Sequence, residues 1–120
     1  MTRVMLVDDH AVFRQALSSF LDRQPDIEVV AQAGSLAEAR QCLAGVDVMV
    51  LDLALPDGDG IKLISELRKL NSDASVLVLS ATIDLAYPER ALEAGADAVL
   101  SKVHAPMRIA DEIKRMREIC

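Results

Sequence analysis

The stretch VDVMVLDLALPDGDG, residues 46–60, passes from a short apolar run through an aspartate into a turn that contains proline and glycine. The run at residues 46–51 is rich in valine and too short for a helix, so it predicts a strand buried on both faces. Pro56 fixes its own φ, and the two glycines of the turn permit positive φ or a close backbone approach. The stretch therefore predicts a strand that ends at Asp52 and a turn that leads into a helix.

The same pattern recurs on either side of this stretch. Four more short apolar runs occupy residues 4–7, 27–31, 76–79 and 96–100. Segments with helical spacing of apolar residues lie at 10–23, 35–43, 60–70, 88–94 and 106–119. Ser35 and Glu38 form a capping box at the start of the second helix, and Gly95 is placed to end the fourth. Five strands that alternate with helices predict one domain, residues 1–120, built on a parallel sheet with helices on both faces.

The composition fits one folded domain and excludes several classes of protein. Of the 120 residues, 52% are hydrophobic, which excludes a disordered chain, and only 2% are aromatic, which predicts an aliphatic core. The formal net charge of −6 argues against direct binding of nucleic acid or an anionic membrane surface. No run approaches the roughly 18 apolar residues of a membrane span, and no signal peptide is evident, so we expect a cytoplasmic protein. Cys42 and Cys120 form no metal-binding spacing and are expected to be reduced thiols.

Polar side chains follow four of the five predicted strands. Asp8 and Asp9 follow the first, Asp52 ends the third, Ser80 ends the fourth, and Lys102 follows the fifth. Parallel strands share one carboxyl edge, so these five groups are expected to lie together. Carboxylates placed together repel one another unless a cation joins them, and a few carboxylate oxygens suit Mg²⁺. With a metal bound, an aspartate there can attack phosphorus, while the lysine and the hydroxyl contact the phosphoryl oxygens.

Four motifs give the chain a specific resemblance. They are Val7-Asp8-Asp9-His10, the stretch from Val50 to Gly60, Leu79-Ser80-Ala81, and Gly95-Ala96-Asp97-Ala98 leading to Lys102. In this order and spacing, over about residues 3–116, the chain resembles a response-regulator receiver domain of the CheY-like superfamily. The Asp-Asp-His start, with Arg14 and the pattern around Pro106, resembles the NarL/FixJ subfamily. The resemblance implies an α/β fold with a doubly wound, five-stranded parallel sheet in strand order 2-1-3-4-5 and five helices, which is flavodoxin-like and CheY-like.

A bound Mg²⁺ ion is the first expectation that this resemblance carries. Asp9 would ligate the ion directly and Asp8 mainly through water. Asp52 and the backbone carbonyl of Ala54 would complete the protein ligands.

The resemblance also implies roles around the phosphoryl group. Asp52 would be the phosphoacceptor, and Ser80 the switch hydroxyl that moves toward the phosphoryl group. Lys102 would contact that group, and the small side chain of Ala81 would leave room for the phosphodonor.

The implied function is that of a two-component phosphorelay switch. The domain would accept a phosphoryl group from a sensor histidine kinase, and it would catalyse only its own phosphorylation and dephosphorylation rather than act as an enzyme. Its output would be transcription regulation through a helix-turn-helix domain beyond Cys120. DNA would be a partner only through that domain, a homodimer is a further expectation, and no membrane partner is implied.

Three positions depart from the pattern of the family. Val99 stands where a tyrosine or phenylalanine usually reports phosphorylation, and it has no ring to swing. Val103 follows Lys102 where proline is frequent, so we expect no cis peptide bond there. Pro88 predicts that the fourth helix begins late and is short, and Tyr87 is a candidate for the missing aromatic side chain. We therefore expect intact phosphoacceptance with altered output from the fourth helix and fifth strand.

Other functions remain open at this point. A phosphorylation-independent interaction module and a stand-alone receiver are the main alternatives. An FMN carrier is disfavoured because Asp8 and Asp9 would repel the phosphate, and a phosphohydrolase because Ala54 cannot transfer a proton. His10 is expected to open the first helix without a catalytic role.

Other polar residues are expected to lack a role in the chemistry. Asp57 and Asp59 should be turn and cap residues rather than metal ligands. His104 and Cys120 should lie on the surface.

Overall fold

The computed structural model describes residues 1–80, 87–103 and 106–118. The strands are β1 Thr2–Val7, β2 Ile27–Ala33, β3 Val48–Asp52, β4 Ala54–Leu55, β5 Gly58–Asp59, β6 Ser75–Ser80 and β7 Ala98–Ser101. The helices are α1 Ala11–Asp22, α2 Leu36–Arg40, α3 Ile61–Leu70, α4 Tyr87–Glu93 and α5 Pro106–Glu118.

Five parallel strands form the main sheet in the order β2-β1-β3-β6-β7. The remaining two strands, β4 and β5, pair only with each other as a two-residue antiparallel hairpin. Counted without this hairpin, the order is 2-1-3-4-5, so the predicted doubly wound sheet is confirmed.

Helices cover both faces of the sheet. Alternate residues of the strands point to opposite faces, so Met49 and Leu51 of β3 pack with the buried faces of α2 and α3. Val48 and Val50 pack on the other face, with buried residues of α1 and α5. Both sets of core residues are aliphatic, which confirms the expectation from the low aromatic content.

The helix ends follow the predicted capping chemistry. Ser35 Oγ accepts a hydrogen bond from Glu38 N (3.1 Å), and Glu38 Oε1 accepts one from Gly34 N (3.2 Å), one residue earlier than in a standard capping box. After α4, Gly95 has φ +111° and its N–H donates to Leu92 O (3.0 Å), while the next N–H reaches back to Ala91 O. This pair of bonds is a Schellman ending, so the predicted role of Gly95 is confirmed.

Two helix lengths bear on the predictions. The second helix ends at Arg40 rather than near residue 43, because Gln41 N and Cys42 N bond three residues back and tighten the last turn. Among the described residues α4 covers Tyr87–Glu93, and the residues that would test its predicted late start lie outside the described ranges. No helix in the described ranges is long and apolar enough to cross a membrane.

Candidate functional site

The carboxyl ends of four strands meet at one edge of the sheet. Asp8 directly follows β1, Asp52 is the last residue of β3, Ser80 is the last of β6, and Lys102 follows β7. The registers set Asp52 opposite Leu79 and Ser80 opposite Ser101, so these strands end side by side. Asp8, Asp52 and Ser80 are buried, although all three are polar. The structure therefore brings the predicted groups to one edge.

The ammonium group of Lys102 bridges two buried carboxylates. Its Nζ lies 2.8 Å from Asp52 Oδ2 and 2.6 Å from Asp8 Oδ2, and its side chain is only 10% exposed. The backbone N–H of Lys102 donates to Ser80 O (2.9 Å), and Nζ lies 5.0 Å from the centroid of the Phe13 ring. Burial lowers the pKa of Lys102, but its contacts with the carboxylates of Asp52 and Asp8 outweigh this effect and hold that pKa above its ordinary value. Lys102 is therefore a fixed cation at the centre of the site.

The loop after β1 adds further charged groups. Asp8 Oδ1 accepts a hydrogen bond from His10 N (2.9 Å), and Arg14 Nη1 donates to Asp8 O (2.6 Å). Asp8 Oδ2 is buried and, within the described ranges, accepts no hydrogen bond of good geometry, so its close contact with Lys102 is an ion pair. The side chain of Asp9 is partly exposed at the rim. One carboxylate is thus buried and hydrogen-bonded, and a second is partly exposed.

The ring of His10 lies in the same cluster, which the sequence did not lead us to expect. His10 is the N-cap of α1, as predicted, but its Nδ1 lies 3.1 Å from Asp8 Oδ1 and 3.5 Å from Asp9 Oδ1. The same atom lies 3.1 Å from Lys102 Nζ. Its position directly after two aspartates is the one signal in the sequence that could have indicated this placement.

The acidic groups are suited to a divalent cation. Ligand atoms of Asp8, Asp9, His10 and Asp52 all lie within 4.8 Å of one another. Mg²⁺ takes carboxylate oxygens and keeps several waters, so one or two buried carboxylates and a rim carboxylate fit it. Ala54 N donates to Asp52 Oδ1 (3.0 Å), which places Ala54 beside the predicted phosphoacceptor.

The hairpin that follows Asp52 contacts three helices. Asp57 caps α2, because its carboxylate accepts hydrogen bonds from Leu36 N (2.8 Å) and Ala37 N (3.1 Å), and these bonds lower its pKa. Asp59 accepts from Ile61 N (3.0 Å) at the start of α3, and its Oδ2 lies 3.2 Å from Arg90 Nη2 in α4. The two aspartates are turn and cap residues, as predicted, but Asp57 caps a helix 20 residues earlier in the chain.

Glycine is required at one position behind Asp52. A Cβ atom on Gly60 would lie 3.0 Å from Leu53 Cα and 3.1 Å from Asp52 O, and backbone atoms cannot easily move aside. The close backbone approach predicted for the turn is confirmed, and it sets the backbone of Asp52 firmly against α3.

The positions that depart from the family pattern are placed as follows. Val99 is partly buried and packs against the core on the side of α2 and α3. No peptide bond among the described residues is cis, and these include the bond between Lys102 and Val103. Ala81, His104, Cys120 and the side chain of Tyr87 lie outside the described residues.

Comparison with known proteins identifies the family. The response regulator receiver domain matches residues 4–114, nearly the whole chain. The chain belongs to the response regulator receiver domain family. The DNA-binding transcriptional activator DevR/DosR of Mycobacterium tuberculosis is 42% identical over 117 residues, which are 95% of this chain and 54% of that protein. The receiver domain described here spans about half the length of the curated relatives it matches, and those relatives are transcriptional regulators.

Two solved structures support the same assignment for this receiver domain. A LuxR-family two-component response regulator from Aurantimonas sp. SI85-9A1 is 31% identical, with a TM-score of 0.86 over 97% of this chain and 85% of that chain. A response regulator from Burkholderia pseudomallei, solved with a phosphorylated aspartic acid, a calcium ion and citrate, is 27% identical. Its TM-score is 0.82, and the match covers 99% of this chain and 74% of that chain. The predicted fold and family are therefore confirmed.

Proposed function

We propose that this receiver domain accepts a phosphoryl group on Asp52. The observation that carries the proposal is the placement of Lys102, whose ammonium group lies 2.8 Å from the buried Asp52 carboxylate at the shared carboxyl edge of the sheet. A fixed cation beside a carboxylate stabilises the extra negative charge of an acyl phosphate, because low solvent exposure strengthens the attraction. The phosphorylated aspartic acid in the Burkholderia pseudomallei relative supports the same chemistry.

The phosphodonor is a phosphohistidine of a sensor histidine kinase. A carboxylate oxygen of Asp52 attacks phosphorus, the P–O bond forms, and the P–N bond of the phosphohistidine breaks, leaving an imidazole that takes up a proton. Lys102 pairs with a phosphoryl oxygen, and the Ser80 hydroxyl donates a hydrogen bond to another. The domain acts on itself alone, in phosphorylation and in dephosphorylation, and is a switch rather than an enzyme.

Asp8, Asp9, Asp52 and the backbone carbonyl of Ala54 hold a Mg²⁺ ion in this proposal. When bound, the ion neutralises charge on the phosphoryl oxygens and lowers the repulsion between the incoming phosphate and the carboxylates. The carboxylates of Asp8, Asp9 and Asp52, whose ligand atoms lie within 4.8 Å of one another, support this assignment. The calcium ion in the Burkholderia pseudomallei relative is a further argument for a divalent cation.

The proposed output is supported by the relatives. Residues 1–120 act as the receiver, and a helix-turn-helix domain beyond Cys120 in the longer protein regulates transcription, as the names and lengths of the curated relatives suggest. Phosphorylation favours a homodimer, the protein works in the cytoplasm, and DNA is contacted only through that output domain.

Intact mass spectrometry tests the proposal. The protein is incubated with acetyl phosphate or phosphoramidate and Mg²⁺, and with its purified sensor kinase. We expect a gain of one phosphoryl group that is lost in Asp52→Ala and in EDTA. Asp57→Ala, which removes a carboxylate from the hairpin that follows Asp52, is the matched control and should be phosphorylated normally. Phosphorylation of Asp52→Ala would show that another residue is the phosphoacceptor, and no phosphorylation by any of these donors would favour an interaction module instead.

A further inference from the structure

The imidazole of His10 is an additional potential ligand at the proposed metal site. Its Nδ1 lies 3.1 Å from Asp8 Oδ1 and 3.5 Å from Asp9 Oδ1. Ligands bound to one ion at about 2.0–2.2 Å lie roughly 3 Å apart, so both distances match neighbouring atoms of one coordination shell. The cluster therefore offers one imidazole nitrogen and the carboxylates of Asp8 and Asp9. A carboxylate oxygen of Asp52 lies within 4.8 Å of these ligand atoms.

The backbone fixes the position of His10, while most of its ring is exposed to solvent. The N–H of His10 donates to Asp8 Oδ1 (2.9 Å), and φ −81° and ψ 90° set it in the extended conformation of an N-cap. Its side chain makes no capping hydrogen bond and is 65% exposed. On binding an ion, the ring therefore exchanges its contacts with Asp8 and Lys102 for a bond to the metal.

Imidazole changes which ion the site prefers. Mg²⁺ is a hard cation that prefers oxygen ligands and retains its waters, so it gains little from His10. Zn²⁺ takes imidazole nitrogen and carboxylate oxygen together, at shorter distances and with fewer ligands. We propose that His10 makes this site a Zn²⁺ site as well, so that Zn²⁺ competes with Mg²⁺ for the same aspartates. This inference rests on the proposed metal site and adds the regulation of that site by a second ion.

Lys102 is the group that a cation must compete with. Its Nζ lies 3.1 Å from His10 Nδ1 and 2.6 Å from Asp8 Oδ2, so it holds both ligands of the inferred Zn²⁺ ion. When Asp8 binds a metal ion, the ammonium group still has Asp52 Oδ2 as its partner. An ion that binds through imidazole as well as carboxylate gains more from this exchange than one that binds carboxylate alone.

Calorimetric titration with Zn²⁺ and, separately, with Mg²⁺ tests the inference. All variants carry Cys42→Ser and Cys120→Ser, so that no thiolate takes up Zn²⁺. His10→Gln removes the imidazole, and His104→Gln, which removes the other imidazole of the chain, is the matched control. Thermal unfolding confirms that each variant is folded, and the ¹⁵N chemical shift of His10 Nδ1 on addition of Zn²⁺ reports ligation directly.

We expect His10→Gln to weaken Zn²⁺ binding by about tenfold or more while Mg²⁺ binding changes by less than about twofold. Excess Mg²⁺ should weaken Zn²⁺ binding to the parent protein, and His104→Gln should bind both ions normally. Equal Zn²⁺ affinity with and without His10, or loss of Zn²⁺ binding in His104→Gln, would overturn this inference and leave the proposed function intact. Failure of Mg²⁺ itself to bind would instead count against the proposed metal site.

Discussion

Arg90 in α4 lies 3.2 Å, from Nη2 to Oδ2, from Asp59 in the hairpin that begins two residues after Asp52. The same aspartate accepts a hydrogen bond from Ile61 N at the start of α3. An ion pair therefore joins α4 to the backbone segment next to Asp52, the proposed phosphoacceptor. Since Val99 has no ring to report phosphorylation, we predict that this pair carries a change at Asp52 to α4.

Removing the charge of Arg90 should separate α4 from the site. Arg90→Gln is expected to change the free energy of unfolding by less than about 1 kcal/mol, because the pair is at the surface and Arg90 is 56% exposed. Backbone amide shifts recorded with and without beryllium fluoride, a phosphoryl mimic, should show a smaller response in α4 of the variant than of the parent. Arg40→Gln, which breaks the surface pair with Glu66 on other helices, is the control and should leave the α4 response unchanged. An unaltered response in Arg90→Gln would exclude this route.

Asp57 should stabilise the protein in a manner that depends on pH. The hydrogen bonds from Leu36 N and Ala37 N lower its pKa in the folded state. Its contribution is therefore complete above the unfolded-chain pKa of about 3.9 and is lost as pH falls through the lower folded pKa. Asp57→Asn should unfold at a lower temperature than the parent at neutral pH, and the difference should shrink below about pH 4 in thermal melts. Asp111→Asn, which removes an exposed carboxylate from α5, is the control for net charge. A difference in unfolding temperature between Asp57→Asn and the parent that is constant with pH would contradict the prediction.

Lys102 should be required for stability in the absence of metal. Lys102→Met leaves Asp8 and Asp52 facing each other without their shared cation, and both carboxylates are buried. We expect a loss of about 1–3 kcal/mol in urea unfolding measured in EDTA. Adding Asp52→Asn to this variant should restore part of the lost stability, because it removes one of the two negative charges that repel each other. If the double variant is no more stable than Lys102→Met alone, charge repulsion is not the cause.

Most of the fold could be predicted from local patterns. Valine-rich runs and the spacing of apolar residues predicted a parallel sheet and its alternating helices correctly. The order of the strands within the sheet came from the resemblance to the receiver family. The hairpin of β4 and β5 was missed, because two-residue strands are too short to show alternation. The early end of α2 was missed as well, since the bonds that tighten its last turn leave no compositional mark.

The site was predicted less completely, for a different reason. Strand ends and sheet topology suffice to bring Asp8, Asp52 and Lys102 to one edge. The contact of the His10 ring with this cluster depends on the side-chain conformation of one residue, and the cap that Asp57 places on α2 joins segments 20 residues apart. Tertiary packing decides contacts of this kind, and a single sequence taken alone carries no pattern that predicts them.

Asp97 should stabilise the amino-terminal edge of the sheet, opposite the site. Its variants should lower the stability of the protein without affecting phosphorylation. Its Oδ2 accepts hydrogen bonds from Val76 N (2.7 Å) and Arg68 Nη2 (2.8 Å), and its own N–H donates to Val76 O (2.9 Å). Asp97→Ala leaves the N–H of the fully buried Val76 without its acceptor and Arg68 without its carboxylate, so we expect a loss of about 1–3 kcal/mol in urea unfolding. Asp97→Asn keeps an acceptor oxygen for Val76 and should lose less. Phosphorylation of Asp52 should proceed normally in both variants, since Asp97 lies at the amino-terminal end of β7. Equal losses of stability in the two variants would show that the ion pair, rather than the hydrogen bond to Val76, is the stabilising contact.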